Sequence, residues 1–240
     1  MLPLRDDVPA DRTPLVTWAL VAINVGAFAW QLASGLERSV LTGGAVPYEL
    51  LTLQDVWPPD LVPPPLTVLT SMFLHGGLLH VGGNMLFLWI FGNNVEDALG
   101  RRRFLAFYLV SGLAAAAAQT LATAVQASGL APSDASALLG VPMVGASGAI
   151  AGVLAAYLVL FPRAGVQTLF FFLVFFRVVT LPAAVFIGLW FLAQVGNAVL
   201  GGAPGVAVFA HLGGFLAGLA LVKLLGRRPG WEQGPGWTRS

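Results

Sequence analysis

The sequence predicts an all-α, polytopic membrane protein with six transmembrane helices in one bundle; composition, segment length and charge placement each point to it. Of the 240 residues, 57% are hydrophobic and 10% are charged, and the mean hydropathy is +0.82. An average soluble domain carries about 25% charged residues and cannot hide so much apolar surface. The net charge of +1 excludes a strongly basic nucleic-acid-binding protein. The absence of cysteine excludes disulfides, thiolate nucleophiles and iron–sulfur clusters.

Six apolar segments approach the roughly 20 residues that a helix needs to cross a bilayer. They are residues 15–33, 78–95, 104–125, 144–161, 181–200 and 206–225. The segment 166–176, which Arg177 follows, is too short to span the bilayer as a straight helix. We interpret it as interfacial, or as a re-entrant extension that leads into the fifth span. The chain then divides into an N-terminal segment 1–14, a six-helix core 15–225 and a C-terminal tail 226–240.

Positive charges predict the orientation of the bundle. With the N-terminus inside, most of the twelve Lys and Arg residues fall on the inner side, while Arg38 lies in an outside loop and Arg177 stays unassigned. Six spans then place both termini in the cytoplasm. The single Lys among many Arg residues and the minimal six-span core favour a prokaryotic inner membrane, with an organelle membrane as the alternative. The outside loop 35–74 is either a solvated loop with an aromatic anchor or a lid that faces the substrate.

Spans two, four and six run in the same direction, and each has polar residues near its outer end. These are His80 and Asn84 in span two, Ser147 in span four and His211 in span six. His211 follows Pro204 by seven residues, which places it about 10 Å down a helix that rises 1.5 Å per residue. The four side chains are therefore expected to meet at one depth below the outer surface.

Small residues on spans four and six predict that these two helices pack closely. Gly148 and Gly152 are four residues apart, and so are Gly214 and Gly218, and such faces let helix backbones approach each other in lipid. His211 lies on the same stripe as the second pair. Close approach is what a serine hydroxyl and a histidine ring need to reach about 3 Å.

The chemistry that these residues predict is that of a Ser–His dyad acting on a peptide bond. Ser147 would be the nucleophile and His211 its base, since no Asp or Glu lies in the outer half of any span to complete a triad. His80, Asn84 and the backbone N–H groups at the start of span four would stabilise the oxyanion. Taken singly, each residue also has a structural explanation: a membrane serine often bonds its own backbone, and Asn84 could join helices.

Other protease chemistries lack their residues. No HExxH motif supports zinc, no pair of aspartates lies within the spans, and three histidines without cysteine argue against a dedicated metal site. We therefore expect no metal and no cofactor.

Four motifs, in this order along the chain, resemble those of the rhomboid family of intramembrane serine proteases. An HxxxN pattern runs from His80 to Asn84, with His75 five residues earlier, and a GxSG motif stands at 145–148. In the GxSG motif, Gly145 and Gly148 stand on either side of the serine. A GxxxExxxG pattern after the second span consists of Gly92, Glu96 and Gly100. An AHxxGxxxG pattern in the last span contains His211, Gly214 and Gly218. The similarity extends from about the first span to Lys223.

The resemblance implies a six-helix rhomboid core with Ser147 as nucleophile, His211 as base, and His80 and Asn84 supporting the oxyanion. It also implies a structural Glu96, pairing with the arginines at 101–103, and a His75 that is structural or anchors a loop. Family substrates are transmembrane proteins cut in or near their membrane segments. One departure is Ala151, where some relatives carry an aromatic ring that stacks on the histidine. Here the ring of His211 must be oriented by something else.

Two other function classes remain alternatives. A catalytically inactive rhomboid-like protein that binds membrane clients would be marked by loss of the serine or histidine, and both are present. A small transporter or channel often shows inverted repeats around a midplane ion site. No internal repeat and no acidic ion site is seen in the sequence, so the protease is the leading hypothesis.

Overall fold

The protein is described here by a computed structural model, which covers residues 1–55, 62–172, 175–200, 207–229 and 231. Three strands and ten helices occupy these residues. In chain order they are β1 (Leu2–Asp6), α1 (Leu15–Ser34), α2 (Leu36–Gly43), α3 (Pro47–Thr52), α4 (Pro64–Ser71), α5 (Leu78–Leu99), α6 (Arg101–Ala127), α7 (Pro132–Leu139), α8 (Ser147–Leu160), β2 (Gly165–Phe172), β3 (Phe175–Pro182), α9 (Ala183–Val199) and α10 (Val208–Leu225).

Six helices, α1, α5, α6, α8, α9 and α10, coincide with the six predicted spans to within a few residues at each end. Judged by length and apolar composition, α1, α6 and α10 qualify as membrane-crossing helices, while α8 and α9 are apolar but shorter. The chain is thus a multi-pass helical membrane protein, and the number of six spans stays a prediction. The predicted start of the sixth span at 206 lies outside the described residues.

Helix α8 occupies the centre of the bundle. Ten consecutive residues, from Gly148 to Tyr157, are buried, and α8 packs against α5, α6, α9 and α10. This is possible because its sequence is mostly Gly, Ala and Leu, and small side chains let several helices surround one. Larger rings fill the space toward its C-terminal end, where the Phe91 and Tyr157 centroids lie 4.9 Å apart.

The all-α prediction is right for the bundle but omits a small antiparallel sheet in the order β1-β2-β3. Strands β2 and β3 form a hairpin that pairs Gly165 with Pro182, and β1 pairs Leu2 with Leu169. The described residues of the segment, 166–172 and 175–176, are therefore strand and not a re-entrant extension of the fifth span, while the interfacial position stays a prediction. The segment's Phe, Val and Thr residues favour a pleated strand, and the neighbouring strands satisfy its backbone groups.

Both terminal segments contact the core. Asp7 Oδ1 accepts a hydrogen bond from the Gly165 N–H at 2.8 Å, so residues 1–14 are tied to the start of the hairpin. At the other terminus, the Arg228 N–H donates to the Ala98 carbonyl at 2.8 Å. The predicted tail begins where α10 ends, but its first residues fold back onto α5. Residues 230 and 232–240 of that tail lie outside the described part of the chain.

The described residues of the loop 35–74 are folded, with α2, α3 and α4 among them. An isolated bridge pairs Ala45 with Met143, just before α8, and Val46 and Glu49 are buried. A purely solvated loop does not fit this burial. Whether the loop faces a substrate stays a prediction, and residues 56–61 lie outside the described residues.

Candidate active site

Ser147 and His211 are in direct hydrogen-bonding contact. Ser147 is the first residue of α8, and its Oγ lies 2.8 Å from Nε2 of His211, in the first turn of α10. The two residues are 64 positions apart, so the packing of α8 against α10 creates the contact. A neutral imidazole nitrogen at this distance can accept the serine proton.

The predicted close approach of α8 and α10 is confirmed. A Cβ atom placed on Gly218 would lie 2.5 Å from the carbonyl oxygen of Gly152, and one on Gly214 would overlap the carbonyl of Gly148. Real Cβ atoms do not come this near to backbone, so any larger residue at these positions would force the helices apart. The glycines thus hold the ends of α8 and α10 close enough for Ser147 and His211 to meet.

Helix α9 contacts the other side of the His211 ring. Oε1 of Gln194 lies 2.8 Å from His211 Nδ1, and the Trp190 and His211 ring centroids are 5.9 Å apart. With an amide oxygen as the partner, Nδ1 carries the proton and Nε2 is left as an acceptor facing Ser147. Trp190 and Gln194 therefore orient the His211 ring, a role for which Ala151 has no aromatic side chain.

Sequence reasoning missed Gln194 and Trp190, although a signal was present. Gln194 is one of two amides in a mostly apolar helix, and Trp190 precedes it by four residues, which places both on one face. The spacing did not reveal that this face meets His211, because the relative rotation of α9 and α10 is set by packing.

His80 and Asn84 supply hydrogen-bond donors near Gly145. The Gly76 N–H donates to Nδ1 of His80 at 3.3 Å, so Nε2 of His80 carries the ring proton. A Cβ atom on Gly145 would lie 2.7 Å from that Nε2 and 3.6 Å from Nδ2 of Asn84. Both donors thus lie next to Gly145, which precedes Ser147 by two residues in the chain.

Two backbone features complete this region. Gly145 has φ +122°, a conformation that favours glycine, and its N–H donates to the Ser71 carbonyl at 2.8 Å. Within the described residues, the buried Nδ2 of Asn84 has no hydrogen-bond partner. Since Ser147 opens α8, its N–H also has no acceptor within the helix.

His75 lies beneath His80 and is fully buried. The rings meet edge to face with centroids 5.1 Å apart. Gln31 holds the His75 backbone, accepting from its N–H at 2.9 Å and donating to its carbonyl at 3.2 Å. Burial, with a further contribution from His80, lowers the pKa of His75 to about 4, so the ring is neutral at pH 7. These contacts agree with the expected structural role.

Glu96 lies at the opposite end of α5, about 18 Å along the helix from Asn84. Its Oε2 accepts from the Thr17 N–H at 2.7 Å and the Thr17 hydroxyl at 2.8 Å, and Oε1 accepts from the Val16 N–H at 3.0 Å. The nearest guanidinium of the 101–103 group, that of Arg101, is 4.0 Å away. The main partners of Glu96 are therefore the first N–H groups of α1, and the arginine is secondary.

The glycines on either side of Glu96 also act through packing. A Cβ atom on Gly92 would come within 3.2 Å of the Thr17 side chain, so this glycine lets α1 lie against α5. Gly100 has φ +82°, and its N–H bonds the Glu96 carbonyl at 2.7 Å, which ends α5 before α6 begins.

Together, the fold and this region define a multi-pass helical membrane protein with a Ser–His pair beside an amide donor, that of Asn84, which has no hydrogen-bond partner in the described part of the chain. The family model described as "Rhomboid domain" matches residues 65–228, which include all four motifs. The chain belongs to the rhomboid family.

Curated relatives agree with this assignment. "Rhomboid protein 1, mitochondrial" of Saccharomyces cerevisiae is 31% identical over 85% of this chain and 51% of its own length. "Rhomboid protease AarA" of Providencia stuartii is 32% identical over 42% of this chain and 34% of its own length. "Rhomboid protease GluP" of Bacillus subtilis is 28% identical over 60% and 24%, respectively. The chain spans about half the length of these relatives, or less.

Proposed function

We propose that this chain is an intramembrane serine endopeptidase that cleaves transmembrane proteins. The observation that carries the proposal is the 2.8 Å contact between Ser147 Oγ and His211 Nε2. Two relatives named as rhomboid proteases support the activity. The alternative, an inactive protein that binds membrane clients, has no comparable observation in its favour, because nucleophile and base are both present and in contact.

In the proposed mechanism, Ser147 Oγ attacks the carbonyl carbon of the scissile peptide bond as its proton passes to Nε2 of His211. The carbonyl oxygen becomes an oxyanion. Nε2–H of His80, Nδ2–H of Asn84 and the Ser147 N–H would donate to it. The C–N bond then breaks, and His211 gives its proton to the leaving amine. Water, deprotonated by the same histidine, hydrolyses the acyl-enzyme and restores Ser147.

Gln194 would keep His211 in the tautomer that this mechanism needs. The Nδ1–H···Oε1 bond holds the proton on Nδ1, so that Nε2 can accept from the serine. As Gln194 touches the base and not the substrate, it is a positioning residue. A neutral amide here takes the place that a carboxylate has in a Ser–His–Asp triad.

We also propose that both termini are cytoplasmic, that six helices span the membrane and that cleavage takes place near the outer leaflet. The sheet supports one part of this arrangement, because its β1–β2 pairing requires the N-terminus and the α8–α9 connection to be on the same side. Arg228 bonds Ala98 and Asp97, which brings the start of the C-terminal segment to the end of α5 at that same side.

A fluorophosphonate probe tests the proposal, because it labels only an activated serine. We expect the wild-type protein in detergent or liposomes to be labelled at a single site and Ser147→Ala not to be labelled. Ser128→Ala is the matched control, since Ser128 Oγ bonds the Val125 carbonyl in an exposed turn. Equal labelling of wild type and Ser147→Ala, or no labelling of a folded wild type, would contradict the assignment and favour the client-binding alternative.

A further inference from the structure

A cavity of about 560 Å³ lies at the end of the bundle away from Ser147, where α1 and α6 begin and α5 and α10 end. The mechanism proposed above does not use it. Five guanidinium groups line it, together with two carboxylates, Glu96 and Asp97. The five are Arg12, Arg101, Arg102, Arg103 and Arg228.

The two carboxylates already have partners. Glu96 accepts from the first N–H groups of α1, and Asp97 pairs with Arg228 at 3.1 Å. Only Arg101, at 4.0 Å from Glu96, has a further carboxylate nearby. In the described part of the chain, Arg12, Arg102 and Arg103 face the cavity without a carboxylate partner.

The position of these arginines is unfavourable without an anion. Arg101, Arg102 and Arg103 are the first three residues of α6, and no acidic residue lies in that turn. The N-terminal end of a helix carries partial positive charge and disfavours cations by a few tenths of a kcal/mol to about 1 kcal/mol each. A bound anion would offset this repulsion and the repulsion among the guanidinium groups.

Apolar residues stand close to the lining residues along the helices that meet at the cavity. Leu15 follows the lining residue Pro14, Leu105 lies one helical turn beyond Arg101 and Arg102, and Leu224 is near the end of α10. All three leucines are exposed, Leu224 to 81%. A ligand with an anionic head and hydrocarbon tails matches both surfaces, whereas a free inorganic anion would match only the arginines.

We propose that this cavity binds the phosphate headgroup of an anionic phospholipid from the leaflet at the N-terminal end of the bundle. Arg12, Arg102 and Arg103 donate to the phosphate oxygens, since guanidinium groups bind phosphate in bidentate geometry. The acyl chains lie against Leu15, Leu105 and Leu224. Because four helix ends meet around the cavity, the bound lipid stabilises the folded bundle. The proposal does not depend on the proteolytic activity.

Thermal unfolding of the full chain in lipid nanodiscs tests the site. We compare phosphatidylcholine alone with phosphatidylcholine containing phosphatidylglycerol, and phosphatidylcholine with millimolar inorganic phosphate in solution. We expect the midpoint to rise with phosphatidylglycerol and to stay unchanged with inorganic phosphate. Native mass spectrometry is expected to retain one phosphatidylglycerol molecule per chain.

The variants are Arg12→Gln and Arg102→Gln, and we expect both to fold in phosphatidylcholine because both side chains are exposed. Each is expected to lose most of the phosphatidylglycerol-dependent shift. Arg177→Gln is the matched control, because Arg177 is an exposed arginine on β3 and does not line the cavity. An equal loss of the shift in Arg177→Gln would show that the effect comes from general surface charge, and it would overturn the proposed site. The same shift with inorganic phosphate would overturn the lipid assignment, and no shift in the wild type would overturn both.

Discussion

At the N-terminal end of the bundle, the carboxylates of the half-buried Asp6 and of the buried Glu96 and Asp97 each accept hydrogen bonds from two or more groups. At the opposite end, Nδ2 of Asn84 and both ring nitrogens of His75 are buried without a partner among the described residues. Polar groups at the first end join helix to helix and strand to helix, although the acceptor Asn94 Oδ1 there has no partner among the described residues. Polar groups at the second end surround Ser147 and His211 but leave donors free.

The polar groups at the N-terminal end therefore stabilise the fold, whereas those at the Ser147 end are available for chemistry. A buried polar group with no partner costs about 1–3 kcal/mol, so a fold tolerates one where it serves another purpose. Donors that are already positioned and unpaired can stabilise charge as it develops in a transition state, with little reorganisation. We therefore expect mutations at the Ser147 end to reduce rate and mutations at the Asp6 end to reduce stability.

The largest expected effect is at the Ser–His pair. Ser147→Ala and His211→Ala should each abolish cleavage of a model transmembrane substrate while the protein still folds, because nucleophile and base act as one unit. Removing either member of such a unit costs on the order of 10⁶-fold in rate. Substantial residual cleavage by either purified variant would contradict the assignment of nucleophile and base.

Asn84→Ala should lower kcat by roughly 10²- to 10³-fold, with a smaller change in KM, since an oxyanion donor acts in the transition state. Steady-state cleavage kinetics measure both constants. Asn93→Ala, on the same helix but toward its far end, is the matched control. A change confined to KM would make Asn84 a packing or substrate-binding residue instead.

Gly218→Ala tests the contact between α8 and α10 that brings Ser147 and His211 together. The new methyl group would lie 2.5 Å from the Gly152 carbonyl oxygen, so α8 and α10 must separate. A displacement of about 1 Å can cost on the order of 100-fold in rate, seen here as slow probe labelling of Ser147. Gly152→Leu should act in the same way. Gly26→Ala, with nothing within 4 Å of its Cβ position, should label normally. Normal labelling of Gly218→Ala would refute the role of the close contact.

Glu96→Gln tests whether the polar groups at the N-terminal end of the bundle act on stability and not on the reaction rate. The substitution removes the negative charge that lies at the N-terminus of α1, and losses of this kind cost about 1–2 kcal/mol. We expect a lower thermal unfolding midpoint in detergent, with normal labelling of Ser147 in the protein that remains folded. Glu37→Gln, at an exposed position, should unfold like the wild type. A loss of labelling without a loss of stability would argue for coupling between the two ends.

The smallest effect concerns Asp6, which accepts from Tyr157 Oη–H and Asn94 Nδ2–H, both at 2.5 Å. Burial raises the pKa of Asp6 from 3.8 to about 6. The folded state therefore holds the proton more tightly than the unfolded state. This stabilisation is full below pH 4 and is lost as the pH rises through 6. The Asp6 contribution to the unfolding midpoint should fall between about pH 4 and pH 6, and Asp6→Asn should flatten that part of the profile. An unchanged profile in Asp6→Asn would assign the dependence to other groups.

The amino-acid sequence by itself determined the positions of the six long helices and which polar residues each one carries. A helix closes its hydrogen bonds within four residues, so apolar length and glycine spacing are visible locally. The Gly148–Gly152 and Gly214–Gly218 faces predicted the α8–α10 approach for the same reason, because residues four apart always share a helix face.

Tertiary structure alone decided which distant groups meet. Residues 165–172 and 175–182 are strand rather than a continuation of the fifth span because β1, more than 150 residues earlier, pairs with the first of these strands. Gln194 faces His211, and Glu96 binds the start of α1 rather than the arginines beside it, because of how the helices are rotated against one another. Such contacts depend on the packing of side chains from several helices at once, and no local spacing in the sequence encodes that packing.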